Sequence, residues 1–163
     1  MNLGGTYLET KVTKSFINAD PWGNQIDFKD RHFPMTPQYS ALADVQYRWS
    51  VDSGLDALIG TSARYQSHVD TRFYDASVAA TVITDPSNDP GNTIDPRIFR
   101  IDGYSVIDAR VGVGSSDDRW RAALWVRNLT DEYYYGSIDK ALDTITASAG
   151  MPRTYGVSLG YRF

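Results

Sequence analysis

Tyr155–Phe163 reads YGVSLGYRF. Tyr155, Val157, Leu159, Tyr161 and Phe163 are apolar or aromatic, while Gly156, Ser158, Gly160 and Arg162 between them are small or charged. Strict period-two alternation predicts a β-strand with one greasy face and one polar face. The same pattern recurs upstream. Ile107, Ala109, Val111 and Val113 alternate with Asp108, Arg110, Gly112 and Gly114, and after a Ser-Ser-Asp-Asp turn Trp120, Ala122, Leu124 and Val126 alternate with Arg121, Ala123, Trp125 and Arg127. An earlier pair does likewise: Tyr39 to Trp49 on odd numbers, a turn at Ser50–Gly54, then Leu55 to Tyr65 on odd numbers. Residues 2–14 predict a further strand with two competing faces, and Thr6, Leu8, Thr10 and Val12 are taken as the apolar one. The expected strands are about 2–14, 38–49, 55–72, 101–114, 119–130 and 150–163.

Composition agrees with an all-β chain. The 20 acids are 18 Asp and only 2 Glu, and the 16 bases are 12 Arg and only 4 Lys. Helices favour Glu and Lys, whereas Asp favours turns. A length of 163 residues suits one domain, taken as residues 1–163 throughout. A net charge of -4 argues against a nucleic-acid binder, and 11 Tyr, 4 Trp and 6 Phe argue against disorder. Cysteine is absent, so thiol chemistry and disulfides are excluded. No apolar run is long enough for a transmembrane helix, a test that β-barrels escape because their strands only alternate.

The connections alternate in length. Turns 50–54 and 115–118 are short, and segments 15–37, 73–100 and 131–149 are long and expected to be loops. Short turns on one side and long loops on the other are the habit of an outer-membrane barrel. Aromatic residues fit two girdles, with Trp49, Trp120 and Phe163 toward the short turns and Tyr65, Tyr133, Tyr134 and Tyr135 toward the long loops. The opposite strand face carries Asp44, Arg48, Asp56, Arg64, Asp108, Arg110, Arg121, Arg127 and Arg162, which a barrel would turn toward its lumen.

At this point the residues resemble a known family. Val126–Tyr134, VRNLTDEYY, is similar to the penultimate-strand motif of TonB-dependent outer-membrane receptors, and Gly150–Phe163, GMPRTYGVSLGYRF, resembles their terminal strand. Pro34–Trp49 and Tyr104–Val113 are similar to earlier strands of the same barrel. The resemblance implies the C-terminal part of a 22-stranded antiparallel transmembrane barrel, about six strands of it, with the plug and earlier strands absent. It also implies an outer-membrane location and TonB-driven uptake of a siderophore, cobalamin or oligosaccharide by the complete receptor. The isolated segment is expected to transport nothing. Implied partners are outer-membrane lipid, the remaining barrel and plug, TonB through the missing N-terminal part, and the barrel-assembly machinery. For the last, Tyr155, Val157, Leu159, Tyr161 and Phe163 resemble the assembly signal. Met1–Val12 shows neither a basic nor an apolar leader region, so no signal peptide is expected within the chain.

Other sites are weaker. Trp22 is a candidate for stacking on a ligand ring, and Arg153 for binding an anion, with Asp131 as its alternative partner. Asp85, Asn88, Asp89 and Asp95 are hard oxygen ligands, but their spacing matches no EF-hand, and a solvated loop is expected. His32 and His68 stand outside any nucleophile elbow or zinc motif, so neither an enzyme nor a cofactor is expected. Two alternatives remain: a soluble β-sandwich or lectin-like ligand-binding module, whose apolar faces would form one dry core, and a small complete barrel, which needs at least eight strands. Residues 76–84 are the place for a further strand.

Overall fold

The computed structural model describes residues 1–21, 23, 25–73, 96–142 and 144–163. In chain order its strands are β1 (Asn2–Tyr7), β2 (Ile17–Ala19), β3 (Gln25–Asp27), β4 (Tyr39–Asp52), β5 (Leu55–Gln66), β6 (Val69–Asp70), β7 (Arg100–Ile101), β8 (Tyr104–Ser115), β9 (Trp120–Arg127), β10 (Tyr135–Ala141), β11 (Thr144–Ala149) and β12 (Thr154–Tyr161). Six of them make one antiparallel sheet in the order β1-β4-β5-β8-β9-β12. Three small ladders, β2-β3, β6-β7 and β10-β11, lie in the long connections. Trp22 and the Asp85–Asp95 cluster, like residues 76–84, lie outside the described residues.

Register puts the predicted apolar sets of β4, β5, β8, β9 and β12 on one face. Tyr47 pairs with Ile59, Ile59 with Val111, Val111 with Leu124 and Leu124 with Val157. One row below, Trp49, Ala57, Val113, Ala122 and Leu159 line up in the same way. Because partners directly opposite share a face, this face is apolar or aromatic across all the long strands. It is also uncovered: Leu124 is 58% exposed, Val157 63% and Leu159 80%. A sandwich would bury these side chains beneath a second sheet; among the described residues no element lies over them. Nor is the sheet closed, since β1 and β12 each have one neighbour. No described helix is long and apolar enough to cross a membrane, which bears only on helices.

Several expectations are corrected. β1 ends at Tyr7, not at residue 14, because beyond it only scattered backbone bonds hold the segment: the Leu8 N–H to the Gln38 carbonyl at 2.9 Å, the Val12 N–H to the Arg31 carbonyl at 3.0 Å and the Asp30 N–H to the Val12 carbonyl at 2.8 Å. Its apolar face is also the other one. Leu3 pairs with Ala43, Gly5 with Ala41 and Tyr7 with Tyr39, and the two tyrosine rings meet at 5.2 Å. β4 runs to Asp52, with an irregularity between Ser50 and Asp52, so the turn tightens to Ser53-Gly54, where Gly54 takes a φ of 96°. The expected strands at 55–72 and 101–114 each break near Ser67 and Gly103, leaving β6 and β7 to pair separately.

The described parts of the long connections are built rather than structureless. β10 and β11 form a hairpin where a loop was expected, and the buried core sits there, not under the sheet. Val69, Phe99, Ile101 and Ile138 make that core, with Tyr104 and Ile145 packed on it. In the first connection Phe28 is buried between Phe16 and Phe73, at ring separations of 6.0 and 4.8 Å. Asp27 ties this loop down, accepting from the Phe16 and Lys29 amides, each at 2.9 Å, and from the Ser15 hydroxyl at 2.8 Å. These donors hold the Asp27 carboxyl below its ordinary range, the backbone amide of Lys29 contributing most. A depressed pKa means that the stabilisation is present above the ordinary carboxylate range and is lost as pH falls through the lowered value. Hydrogen exchange at the Phe16 and Lys29 amides should therefore accelerate, relative to the sheet, only below the ordinary carboxylate range; a change at neutral pH would contradict it.

Candidate functional site

The face opposite the apolar one carries the charges. Arg110 Nη2 donates to Gln46 Oε1 at 2.8 Å and lies 3.7 Å from Asp44 Oδ2. Toward the short turns, Asp118 is shared by Arg48 at 3.6 Å and Arg121 at 3.1 Å. Asp56 accepts hydroxyl bonds from Ser50 and Ser116 at 2.9 and 3.1 Å. These pairs are half-exposed, so each stabilises the sheet little by itself. Between them lies a hollow of about 380 Å³, floored by small residues such as Gly60 and Ser62 and flanked by Arg110, Trp125 and Arg127.

Two aromatic side chains lie flat on glycines of this face. The Trp125 indole covers Gly156, where a Cβ would come within 2.4 Å of its ring, and its Nε1 donates to Ser158 Oγ at 3.1 Å. The Arg127 guanidinium sits 5.4 Å from the indole centroid, within cation–π range. Tyr134 lies over Gly150 in the same manner, stacks on Tyr104 at 4.0 Å and accepts a bond from Arg64 Nη2 at 3.2 Å. That removes Tyr134 from the girdle in which the sequence put it, because its Arg64 and Tyr104 partners belong to the polar face. Tyr133 does point outward, 73% exposed, with its ring 5.4 Å from Tyr135. A hydrogen bond shared with Tyr135 raises the Tyr133 pKa above the ordinary phenol value.

The long-loop ends of β9 and β12 are joined by a polar node within the Val126–Tyr134 stretch, which the sequence marked only as a resembling motif. Asn128 is 2% exposed and adopts a φ of 52°. Its Nδ2 donates to the carbonyls of Glu132 at 2.9 Å and Met151 at 3.0 Å, and its Oδ1 accepts from the Glu132 amide at 2.9 Å. Its own amide donates to Asp108 Oδ1 on β8 at 2.9 Å. Asp131, also at positive φ, accepts from the Arg153 amide at 3.0 Å and faces the Arg153 guanidinium at 3.5 Å. Arg153, a candidate anion-binding residue from sequence, is thus held by Asp131. Of the girdle residues, Trp49 and Trp120 lie on the apolar face toward the short turns and Tyr65 on that face at the far end of β5. Tyr155, Val157, Leu159 and Tyr161 share the same face of β12, and Phe163 packs edge-on against Tyr161 at 5.0 Å.

The described strands thus form an open antiparallel meander with one uncovered apolar face, one face of arginines and aspartates, and ordered loop segments at one end. A sequence model of the family described as TonB dependent receptor-like, beta-barrel matches residues 1–129, and the chain belongs to that family. Among solved structures the chain is similar to the ferric yersiniabactin uptake receptor FyuA from Yersinia pestis. The likeness has 15% sequence identity and a TM-score of 0.62, and covers 95% of this chain but 19% of that one. At that identity it concerns the fold alone. No curated protein matches the chain. Among the described residues no three His, Asp or Glu side chains gather to hold a metal.

Proposed function

We propose that residues 1–163 form the C-terminal part of the barrel of a TonB-dependent outer-membrane receptor. The observation that carries this reading is the pairing of faces: an apolar surface continuous over six strands, left open, backs a wall of arginines and aspartates. Lipid covers the first, and the lumen with its plug adjoins the second. The open edges of β1 and β12 continue into the rest of a 22-stranded barrel, since unpaired strand edges in hydrocarbon cost several kcal/mol for each unsatisfied backbone group. Trp49 and Trp120 anchor the short-turn side at the interface, Tyr65 and Tyr133 the other side. Tyr155, Val157, Leu159, Tyr161 and Phe163 serve as the signal to the assembly machinery, and Arg153 with Asp131 sets the rim. The complete receptor takes up a siderophore, cobalamin or oligosaccharide using energy delivered through TonB.

The test is uptake by cells carrying the complete receptor, with TonB present or deleted. The expected result is a receptor in the outer-membrane fraction whose uptake of labelled solute is lost without TonB. Uptake indifferent to TonB, or a protein found in the soluble fraction, contradicts the proposal.

A further inference from the structure

Residues 69–73, Val-Asp-Thr-Arg-Phe, touch all three long connections. Toward the first, the Phe73 ring stacks on Phe28 at 4.8 Å and meets Phe33 edge-on at 5.8 Å, and the Asp70 carbonyl accepts from the Met35 amide at 2.8 Å. Within the second, between β5 and β8, Val69 and Asp70 pair with Ile101 and Arg100. There the Asp70 carboxylate accepts from Arg100 Nε at 3.0 Å, and the Thr71 amide donates to the Phe99 carbonyl at 2.8 Å. Toward the third, Val69 shares a buried core with Ile138. Arg72 Nη2 donates to the Lys140 carbonyl at 3.1 Å and lies 3.4 Å from Asp139 Oδ1.

The small ladders are too short to stand alone. β6 and β7 pair through two residues each, and Asp70 and Arg100 are 30 residues apart in the chain. Closing so long a loop costs entropy, and even a continuous two-stranded hairpin is marginal in water. β2 and β3 pair through three residues each. Apolar burial shared between connections therefore holds them: Val69, Phe99 and Ile101 with Ile138, and Phe28 against Phe73. Loosening one connection strips the core from the others. The sheet, by contrast, is held by strands of up to 14 residues and meets this core through Tyr104 at the start of β8. We propose that the three long connections open and close as one cooperative unit, less stable than the sheet, with residues 69–73 as the element that couples them. Elements that cannot persist without one another open together. A molecule that binds one connection in its ordered form thereby stabilises the other two. The coupling stands on these contacts; that the connections face the outside of the cell rests on the receptor reading.

The test is native-state hydrogen exchange of the complete receptor in lipid discs, across low concentrations of urea. Amides of β2–β3, β6–β7 and β10–β11 should converge on one opening isotherm, reached before that of β4 and β5. Two variants then read the coupling in opposite directions. Phe73→Ala removes a ring from the first connection, yet should speed exchange in β10–β11 about tenfold or more. Arg72→Met removes bonds to the third, yet should speed exchange of the Phe28 amide, bonded to the Phe16 carbonyl at 2.9 Å, to a similar degree. Leu142→Ala, 90% exposed between β10 and β11, should change neither, and β4 and β5 should keep their rates in all three variants. If Phe73→Ala does not assemble, Phe73→Leu, which keeps apolar volume but loses the stacking, should give the same pattern in smaller degree. Separate isotherms for the three ladders, acceleration confined to the connection each side chain touches, or equal acceleration in β4 and β5 overturns the proposal. Those outcomes leave the receptor reading intact. A protein absent from the outer-membrane fraction removes that reading and not the coupling, which the same isotherms report in the soluble protein.

Discussion

Asn128→Ala should destabilise the receptor by about 2–4 kcal/mol and loosen the join between the last two strands. Three side-chain bonds are lost at once, and the carbonyls of Glu132 and Met151 are left without their shared donor in a site that is 2% exposed. A buried polar group left unpaired costs about 1–3 kcal/mol. The φ of 52° adds to this, since asparagine tolerates the left-handed region better than alanine. The two contributions separate experimentally. Asn128→Gly relieves the backbone and keeps the hydrogen-bond loss, so it should recover about 1 kcal/mol of the deficit. Asn128→Asp keeps the acceptor for the Glu132 amide but turns an anion toward two carbonyls, and should be at least as damaging as alanine. Urea unfolding of the receptor in lipid vesicles measures all three. A cost below about 0.5 kcal/mol for alanine, the range of an ordinary surface substitution, would show that the node does not hold the strands together.

Leu124→Arg should cost about 2–4 kcal/mol in the same assay, while Ser62→Arg should cost about 0.5 kcal/mol or less. Leu124 occupies the row of Tyr47, Ile59, Val111 and Val157, midway along the strands on the apolar face. A cation there must enter hydrocarbon, with a penalty greatest at the bilayer midplane. Ser62 lies on the opposite face, beside the hollow, where water or polar partners meet a new charge. The two changes introduce the same side chain on neighbouring parts of one sheet, so the difference between them isolates the identity of the faces. Equal costs would mean that both faces meet the same medium.

The six long strands were legible because alternation is local information. Five of the six apolar faces follow from alternation alone, on odd-numbered residues in β4, β5, β8 and β12 and on even-numbered ones in β9, and the register then aligns them. β1 misled because Leu3, Gly5 and Tyr7 compete with Thr6, Leu8 and Val12 at nearly equal strength; the decision rests on Tyr7 meeting Tyr39, a contact that no single strand announces. The β10-β11 hairpin was missed for a related reason. Its Ile138 and Ile145 are apolar because they pack with Val69, Phe99 and Ile101 from the other connection, and neither shows a long alternating run. Asn128 could be seen only as part of a resembling motif. Its partners are backbone carbonyls, one of them 23 residues onward, and backbone groups carry no sequence signature. Asp131 could be named in advance only as an alternative partner to an anion for Arg153, because opposite charges at the two ends of one loop are readable; the inward turn of Tyr134 was not, since it depends on the bare surface of Gly150.

The most direct test of the central claim uses the tryptophans. Trp49 and Trp120 lie on the apolar face, and Trp125 lies on the polar one, bonded to Ser158. Receptor variants that each retain one of these three should be placed in bilayers of lipids brominated along their acyl chains, which quench only indoles in contact with them. Strong quenching of Trp49 and Trp120, with Trp125 emission nearly untouched, is the predicted result. Quenching of Trp125 as strong as that of Trp49, or no quenching at any of the three, would contradict the assignment of the apolar face to lipid.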